Sequence, residues 1–270
     1  MNMFRTALVA GVVAATASIG LSSAHAAGEV VHPPEHHWSF SGLFGTYDRA
    51  ALRRGFQVYK GVCAGCHGLR LVAYRNLMDI GFTEDEVKAI AAEVFVMAEP
   101  NADGEIEERP GIPADRFKSP FPNENAARAA NGGAYPPDLS LIIKARQNGA
   151  NYLHALLTGY QEAPADKQVP DGMYYNPYFP GQLIAMAQPL YEDGIEYSDK
   201  TPATIKQQSE DVVTFLTWAA EPKMEARKRL GVKVILFLLL LTGFMSSNGG
   251  SGQTSTSLIR KSGYDKRAGL

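Results

Sequence analysis

Cysteine is scarce in this 270-residue chain: only two are present, at positions 63 and 66. Two cysteines cannot build the multi-bridge framework of a disulfide-rich fold. They also supply only half of the four ligands that a structural zinc site requires. A redox-active dithiol remains open at this point, because it needs no more than one closely spaced pair.

Long apolar runs are also few. Near the C-terminus, Val234 to Met245 is a stretch of twelve residues without a charge, whereas a membrane-spanning helix needs about 20 apolar residues. The Gly- and Ser-rich stretch Ser246 to Gly252 follows it directly. This composition predicts a flexible linker after a short membrane helix.

The N-terminal apolar run has the pattern of a secretory signal. Leu8 to Leu21 follows the basic residue Arg5 and precedes Ala24-His25-Ala26, a small-x-small cleavage site. Such a segment directs a protein to a translocated, oxidising compartment and is then removed. We therefore expect residues 1–27 to be a signal peptide.

Charge is distributed unevenly along the chain. Residues 221–270 contain nine Lys and Arg against three Asp and Glu, a net charge of +6. Because the whole chain has a net charge of −2, residues 1–220 carry −8. An acidic main body argues against a nucleic-acid partner. Between Glu84 and Glu108 there are nine acidic residues and one basic residue, Lys88. This segment is either a solvated face or a docking surface that steers a basic partner.

The two cysteines belong to Cys63-Ala64-Gly65-Cys66-His67, the Cys-x-x-Cys-His attachment signature of a c-type haem. Each thiol can form a thioether with a haem vinyl group, and the imidazole of His67 can then bind the iron from one side. Export fits this chemistry, since covalent haem attachment is common in translocated proteins. The motif therefore predicts one haem c, with His67 as a metal ligand.

A six-coordinate iron needs a second ligand from elsewhere in the chain. Met186 lies in a short apolar stretch before Pro189, which favours a rigid loop that holds a thioether near the iron. Met173 is the alternative, and for either residue ordinary core packing is also possible. Three histidines of the N-terminal arm, His32, His36 and His37, could bind a metal, but Pro33, Pro34 and the absence of helical spacing argue against it.

Apolar periodicity predicts a mainly α-helical protein with long irregular loops. Gly55 on the apolar face of the first helix suggests that another helix approaches closely. Residues 160–199 are rich in Pro, Gly and Tyr, which makes long regular elements there improbable. The expected helices are Tyr47–Val62, Glu84–Met97 (behind a Thr83 capping box), Glu124–Ala130, one capped by Asp138 that carries Leu141, Ile142 and Ala145 inward, Tyr152–Thr158, and Thr201–Ala220.

Several segments on both sides of the motif resemble one family. These are Arg53-Arg54-Gly55-Phe56-Gln57-Val58-Tyr59, Ala126-Ala127-Arg128-Ala129-Ala130-Asn131-Gly132-Gly133-Ala134, Pro136-Pro137-Asp138-Leu139-Ser140, Tyr175-Asn176-Pro177-Tyr178-Phe179-Pro180-Gly181, Ile184-Ala185-Met186 and Trp218-Ala219-Ala220-Glu221-Pro222. From about Trp38 to Leu241 the chain resembles the cytochrome c1 family, the haem subunits of the ubiquinol–cytochrome c reductase (cytochrome bc1) complex.

The resemblance implies a cytochrome c-like haem domain, residues 28–222, a membrane anchor helix, 223–245, and a tail, 246–270. It implies that Met186 is the axial methionine and that Arg146 pairs with a haem propionate, where a charge-assisted bond would fix the haem's tilt. The other family haem-pocket positions fall on Asn131, Pro136, Pro137, Ile142, Tyr152 and Leu156.

The family's function supplies the remaining expectations. The chain would pass electrons from the Rieske iron–sulfur protein to soluble cytochrome c, beside cytochrome b in a dimeric complex. It would cross the inner membrane once, with its haem domain in the periplasm, and would contain no acid–base or nucleophilic catalytic residue. A free-standing, membrane-tethered cytochrome c is the alternative, which the linker-like tail favours.

Overall fold

The computed structural model describes residues 31–249. The expected signal peptide, 1–27, and residues 250–270 of the expected tail lie outside the described residues. The α-helices are α1 (Arg49–Val58), α2 (Glu84–Ala92), α3 (Glu124–Ala130), α4 (Gly149–Thr158), α5 (Ile205–Ala220) and α6 (Met224–Gly249). A π-helical turn, Tyr59–Cys63, continues α1, and a 3-10 helix spans Tyr74–Ile80.

The strands are short and form two antiparallel pairs. β1 (Phe95–Met97) pairs with β2 (Glu108–Pro110), and β3 (Tyr174–Tyr175) pairs with β4 (Leu183–Ile184). The expectation of a mainly helical fold with long irregular loops is thus confirmed. Only the two-residue strands β3 and β4 interrupt the irregular chain between residues 160 and 199.

Helices α1 and α5 cross in the centre of the domain, and Gly55 lies at the crossing. A Cβ atom at this position would lie 2.0 Å from the carbonyl oxygen of Asp211 and 2.7 Å from Cβ of Phe215. The expected close approach of another helix is therefore confirmed. Arg54 fixes the same crossing, since its Nε and Nη2 donate to the carboxylate of the buried Asp211 at 2.8 and 2.9 Å.

Helix α2 ends at Ala92, five residues before the predicted end at Met97. The predicted Thr83 capping box is present, with its side chain accepting from the backbone of Glu86 at 3.2 Å. The end was wrong because a distant segment takes over the next backbone groups: the N–H of Gly111 donates to the carbonyl of Val94 at 2.8 Å. The residues that follow form β1 instead of a further helical turn.

Two other helix predictions fail for related reasons. No regular helix follows Asp138; residues 139–148 form successive turns and bends. Of the three residues expected to face inward, Ile142 is buried, whereas Leu141 and Ala145 are exposed. Helix α5 begins at Ile205, because Thr204 and not Thr201 is the N-cap and accepts from the N–H of Gln207 at 3.1 Å. The predicted bounds of α3 and the end of α5 agree with the structure.

The C-terminal helix α6 is longer than the composition suggests. Its helical backbone includes Ser246 to Gly249, which the Gly- and Ser-rich composition assigned to a flexible tail. The segment Met224–Ser247, 24 residues long, contains an 18-residue window with a mean hydropathy of 2.0 and is long and apolar enough to cross a membrane. At 1.5 Å per residue this 18-residue window is about 27 Å long, close to the ~30 Å hydrocarbon core.

Candidate haem site

The Cys-x-x-Cys-His motif forms a compact turn at the end of α1. The π-helical turn brings the N–H of Ala64 to the carbonyl of Tyr59 at 2.8 Å, and the N–H of His67 donates to the carbonyl of Cys63 at 2.9 Å. Cys63 is half-buried and Cys66 is exposed, and the two do not form a disulfide with each other. Burial, with a smaller contribution from Cys66, raises the pKa of the Cys63 thiol to about 12. The unattached Cys63 is therefore a neutral thiol.

The imidazole of His67 is held in the orientation that a metal ligand needs. Its Nδ1 lies 2.8 Å from the carbonyl oxygen of Pro137, and since a carbonyl can only accept, Nδ1 carries the proton. The lone pair of Nε2 is then free for iron. Burial lowers the pKa of His67. The hydrogen bond to Pro137 and the charge of Asp138 raise it, but by less, so the pKa lies below its ordinary value. The imidazole is thus neutral at physiological pH, as ligation requires.

The residues after His67 are fastened to the segment around Pro137. The N–H of Leu139 donates to the carbonyl of Gly68 at 2.8 Å. In the other direction, the carboxylate of Asp138 accepts from the N–H of Arg70 at 2.9 Å. The hydroxyl of Ser140 accepts from the N–H of Leu71 at 3.1 Å. Together with the His67 contact, these bonds lock the imidazole against a segment 70 residues away in sequence.

Sequence reasoning missed the role of Asp138 and Ser140 in this contact. Asp138 was predicted to cap a following helix, but one carboxylate oxygen binds the N–H of Ser140 at 3.0 Å and the other that of Arg70. An Asx-type signal in the Pro-Asp-Leu-Ser sequence was available locally. Its long-range partner was not, because nothing in the pattern of either segment specifies the other.

Met186 lies two residues after β4, on a loop that is held from two sides. The hydroxyl of Tyr160 donates to the carbonyl of Met186 at 2.9 Å. Within the β3–β4 turn, the buried side chain of Asn176 donates to the carbonyl of Leu156 in α4 at 2.8 Å. The side chain of Met186 is half-buried and packs on the central apolar cluster. Met173, the alternative ligand, lies in the turn after Pro170, with its N–H 3.1 Å from the Pro170 carbonyl.

The structure places the other predicted haem contacts in two groups. Ile142 and Leu156 are buried in the central cluster, against which Tyr152, Met186 and Cys63 also pack. The remaining residues lie outside this apolar cluster and nearer the surface, namely Asn131, Pro136, Pro137 and Arg146.

Two of these surface residues have polar contacts of their own. Asn131 ends α3 and donates from Nδ2 to the carbonyl of Ala127 at 2.7 Å. Arg146 is exposed. Burial raises the pKa of Tyr152, and the positive charge of the Arg146 guanidinium lowers it by a smaller amount. A cationic side chain therefore lies beside the Tyr152 hydroxyl, at the edge of the apolar cluster.

The donor set of this site fits a covalently attached haem. Two adjacent thiols can form thioethers, a neutral imidazole has an unused Nε2, and a half-buried thioether lies on a fixed loop. A zinc site would use the same cysteines and histidine, but it would need a fourth strong ligand. Fold and site together define a helical c-type haem protein with one candidate membrane helix.

Comparison with known proteins agrees with this class. The model of the Cytochrome C1 family matches residues 38–249. "Cytochrome c1 1, heme protein, mitochondrial" of Arabidopsis thaliana is 51% identical over 233 residues, which cover 86% of this chain and 76% of that protein. "Cytochrome b-c1 complex catalytic subunit, mitochondrial" of Candida albicans is 52% identical over 209 residues, 77% of this chain and 73% of that protein.

A bacterial relative is similar to the same degree. "Cytochrome b/c1" of Bradyrhizobium diazoefficiens is 50% identical over 235 residues, covering 79% of this chain but only 34% of that longer protein. The chain belongs to the cytochrome c1 family, and its haem c is attached through Cys63 and Cys66. Within residues 31–249 one helix could span a membrane, which fits a single-pass membrane protein.

Proposed function

We propose that this chain is the electron-transfer subunit of a cytochrome bc1 complex. It takes one electron at a time from the Rieske iron–sulfur protein and passes it to soluble cytochrome c on the periplasmic side of the inner membrane. The observation that carries the proposal is the His67–Pro137 hydrogen bond of 2.8 Å, which leaves Nε2 as a preorganised iron ligand. The relative from Candida albicans, named as the catalytic subunit of this complex, supports the assignment.

The bound haem supplies a one-electron redox couple. The chain's own residues attach it, fix its orientation and tune its potential. Cys63 and Cys66 would hold the group covalently, and His67 and Met186 would supply the two iron ligands. A thioether ligand stabilises the reduced iron and raises the potential, which suits a carrier late in an electron-transfer chain. No general acid, general base or nucleophile of this chain takes part.

The other predicted haem contacts shape the pocket around the haem. Ile142, Leu156 and Tyr152 exclude water from the apolar ring, and Pro136 and Asn131 line the same pocket. Arg146 pairs with a propionate, because a guanidinium at the edge of an apolar cluster matches a carboxylate there. Helix α6 anchors the domain beside cytochrome b, in a dimeric complex.

Purification from membranes in a mild detergent tests the proposal. We expect cytochrome b and an iron–sulfur protein to co-purify with the chain, and the preparation to reduce soluble cytochrome c when ubiquinol is added. The variant Cys63→Ser should lose most of the attached haem and this activity. The matched control His37→Gln, at an exposed histidine, should retain both. A solitary haem protein that needs no partner would instead indicate a tethered carrier.

A further inference from the structure

Three potential metal ligands from three separate segments meet on the side of the domain where the N-terminal arm docks. They are His36 of the arm (residues 31–46), His154 of α4 and Glu210 of α5, and their ligand atoms all lie within 4.8 Å of one another. None of them belongs to the haem site, and the function proposed above uses none of them. We propose that this cluster binds one divalent zinc ion, which fastens the arm to the haem domain.

The geometry of the cluster is close to that of a zinc site. His36 Nε2 lies 3.6 Å from Oε1 of Glu210. Two ligands of a tetrahedral zinc ion with bonds of about 2.0–2.1 Å are separated by about 3.4 Å. The widest pair in the cluster therefore has to approach by at most about 1.4 Å (4.8 Å less 3.4 Å). All three side chains are half-buried, so side-chain rotation can supply this movement.

The surroundings orient both imidazoles. Nδ1 of His154 lies 2.9 Å from the hydroxyl of Ser209, and a proton on this nitrogen leaves Nε2 free for a metal. The His36 ring lies 4.4 Å from the ring of Trp38, between centroids, and 4.9 Å from that of His154. Asn151 accepts from the backbone N–H of His36 at 3.3 Å and from Nε1 of Trp38 at 2.7 Å.

The chemistry of the donor set favours zinc over calcium and magnesium. Two imidazoles and one carboxylate, with water as the fourth ligand, form a familiar zinc coordination set, whereas calcium and magnesium prefer oxygen ligands throughout. One competing cation is present: the ammonium group of Lys206 lies 3.8 Å from Oε1 of Glu210. Its side chain is 74% exposed, so it can turn into solvent when a metal binds.

The test uses the full chain with haem attached, purified from membranes without a histidine tag. After dialysis against buffered zinc chloride, zinc and iron are counted by mass spectrometry, so that haem iron reports the number of chains. We expect His36→Gln and Glu210→Gln each to remove one zinc per chain and to weaken zinc binding at least about tenfold. His37→Gln, the adjacent exposed histidine of the arm, should bind as much zinc as the wild type.

Two further readouts separate ligation from a structural effect. Lys206→Gln should strengthen zinc binding, because it removes the competing ammonium group without touching a ligand. The X-ray absorption spectrum of bound zinc should show two imidazole ligands in the wild type and one in His154→Gln. The proposal is overturned if the wild type binds no more zinc than Glu210→Gln, or if His37→Gln loses as much zinc as His36→Gln. Both outcomes leave the haem function untouched.

Discussion

Met186, the proposed second iron ligand, lies on a loop that is fixed by Tyr160 on one side and by the Asn176–Leu156 contact on the other. A thioether ligand favours reduced iron. Different axial ligands set haem potentials over a range of about 0.8 V. We therefore expect Met186→Leu to lower the midpoint potential by a substantial part of this range. A potentiometric titration of the purified protein measures the change.

Met173→Leu is the matched control for this prediction. It makes the same substitution at the other methionine that sequence reasoning left open, and it should leave the potential unchanged. A large shift in Met173→Leu with none in Met186→Leu would reverse the assignment of the ligand.

The two halves of the His67 site differ in how far sequence reveals them. The ligand itself follows from a local signature, because two cysteines and a histidine at fixed spacing have few other uses. Its orienting partner is a backbone carbonyl 70 residues away, at Pro137. Every residue has a carbonyl, so no residue type marks this partner. The sequence therefore predicts which side chain binds iron, while only the fold shows what aims it.

Among the secondary-structure elements, the crossing of α1 and α5 depends on the absence of a side chain at Gly55. The substitution Gly55→Ala would place a Cβ 2.0 Å from a backbone oxygen of α5, and this atom cannot move without shifting the helix. We expect a loss of about 1–3 kcal/mol in the free energy of unfolding, or more, as for other overpacked cores. Urea unfolding of the haem-attached chain, followed by circular dichroism, measures it.

Gly61→Ala serves as the control for the crossing. A Cβ there meets only Cγ2 of Ile195, at 3.7 Å, an ordinary van der Waals distance. The free energy of unfolding should change by less than about 0.5 kcal/mol. Equal losses in both variants would show that the crossing does not set the cost, since helix propensity by itself favours Ala over Gly.

Helix ends show where local patterns stop being sufficient. Thr83 and its capping box lie within four residues of one another, so the start of α2 could be predicted. Its end could not, because Gly111 reaches the carbonyl of Val94 only after the intervening chain has returned as β2. The same holds for Asp138, whose local turn was visible but whose bond to Arg70 was not. Local signals therefore predict the elements, and long-range backbone contacts decide where several of them end.

For the molecule as a whole, the acidic segment lies largely on the exposed β1–β2 hairpin. Glu105 and Glu107 are exposed and have no salt bridge within the described residues, while Glu108 lies 3.8 Å from the ammonium group of Lys118. Exposed like charges create a field that accelerates association with a cationic partner. We expect the triple variant E105Q/E107Q/E108Q to reduce soluble cytochrome c more slowly at low ionic strength.

Salt concentration and charge position check this prediction. The difference from wild type should shrink in high salt, because the Debye length falls from about 30 Å at 0.01 M to about 3 Å at 1 M. The variant E192Q/D193N/E196Q changes the net charge equally at exposed positions in another loop and should slow the reaction less. Equal rates for wild type and both variants at low salt would exclude steering by this hairpin.

The beginning of α6 belongs to the haem domain, and the rest of the helix leaves it. Glu225 accepts from the N–H of Tyr47 at 2.8 Å and from Arg49 at 2.8 Å, and Lys228 donates to the carbonyl of Phe40 at 2.7 Å. From residue 233 to 247, by contrast, every side chain is exposed. A chain cut after Arg229 therefore keeps all three contacts and loses the exposed apolar part of α6.

We expect this truncated chain, residues 1–229, to be recovered in the soluble fraction, with the haem spectrum and midpoint potential of the full chain. The physical reason is that burial of the apolar part of α6 in lipid is what holds the protein to the membrane. Cell fractionation followed by haem quantification measures the distribution.

Retention on the membrane would point to a second anchor, and the arm offers one in Leu43 and Phe44, which are 57% and 80% exposed beside α6. The variant L43S/F44S in the truncated chain would then release it, whereas release by truncation alone assigns the anchor to α6.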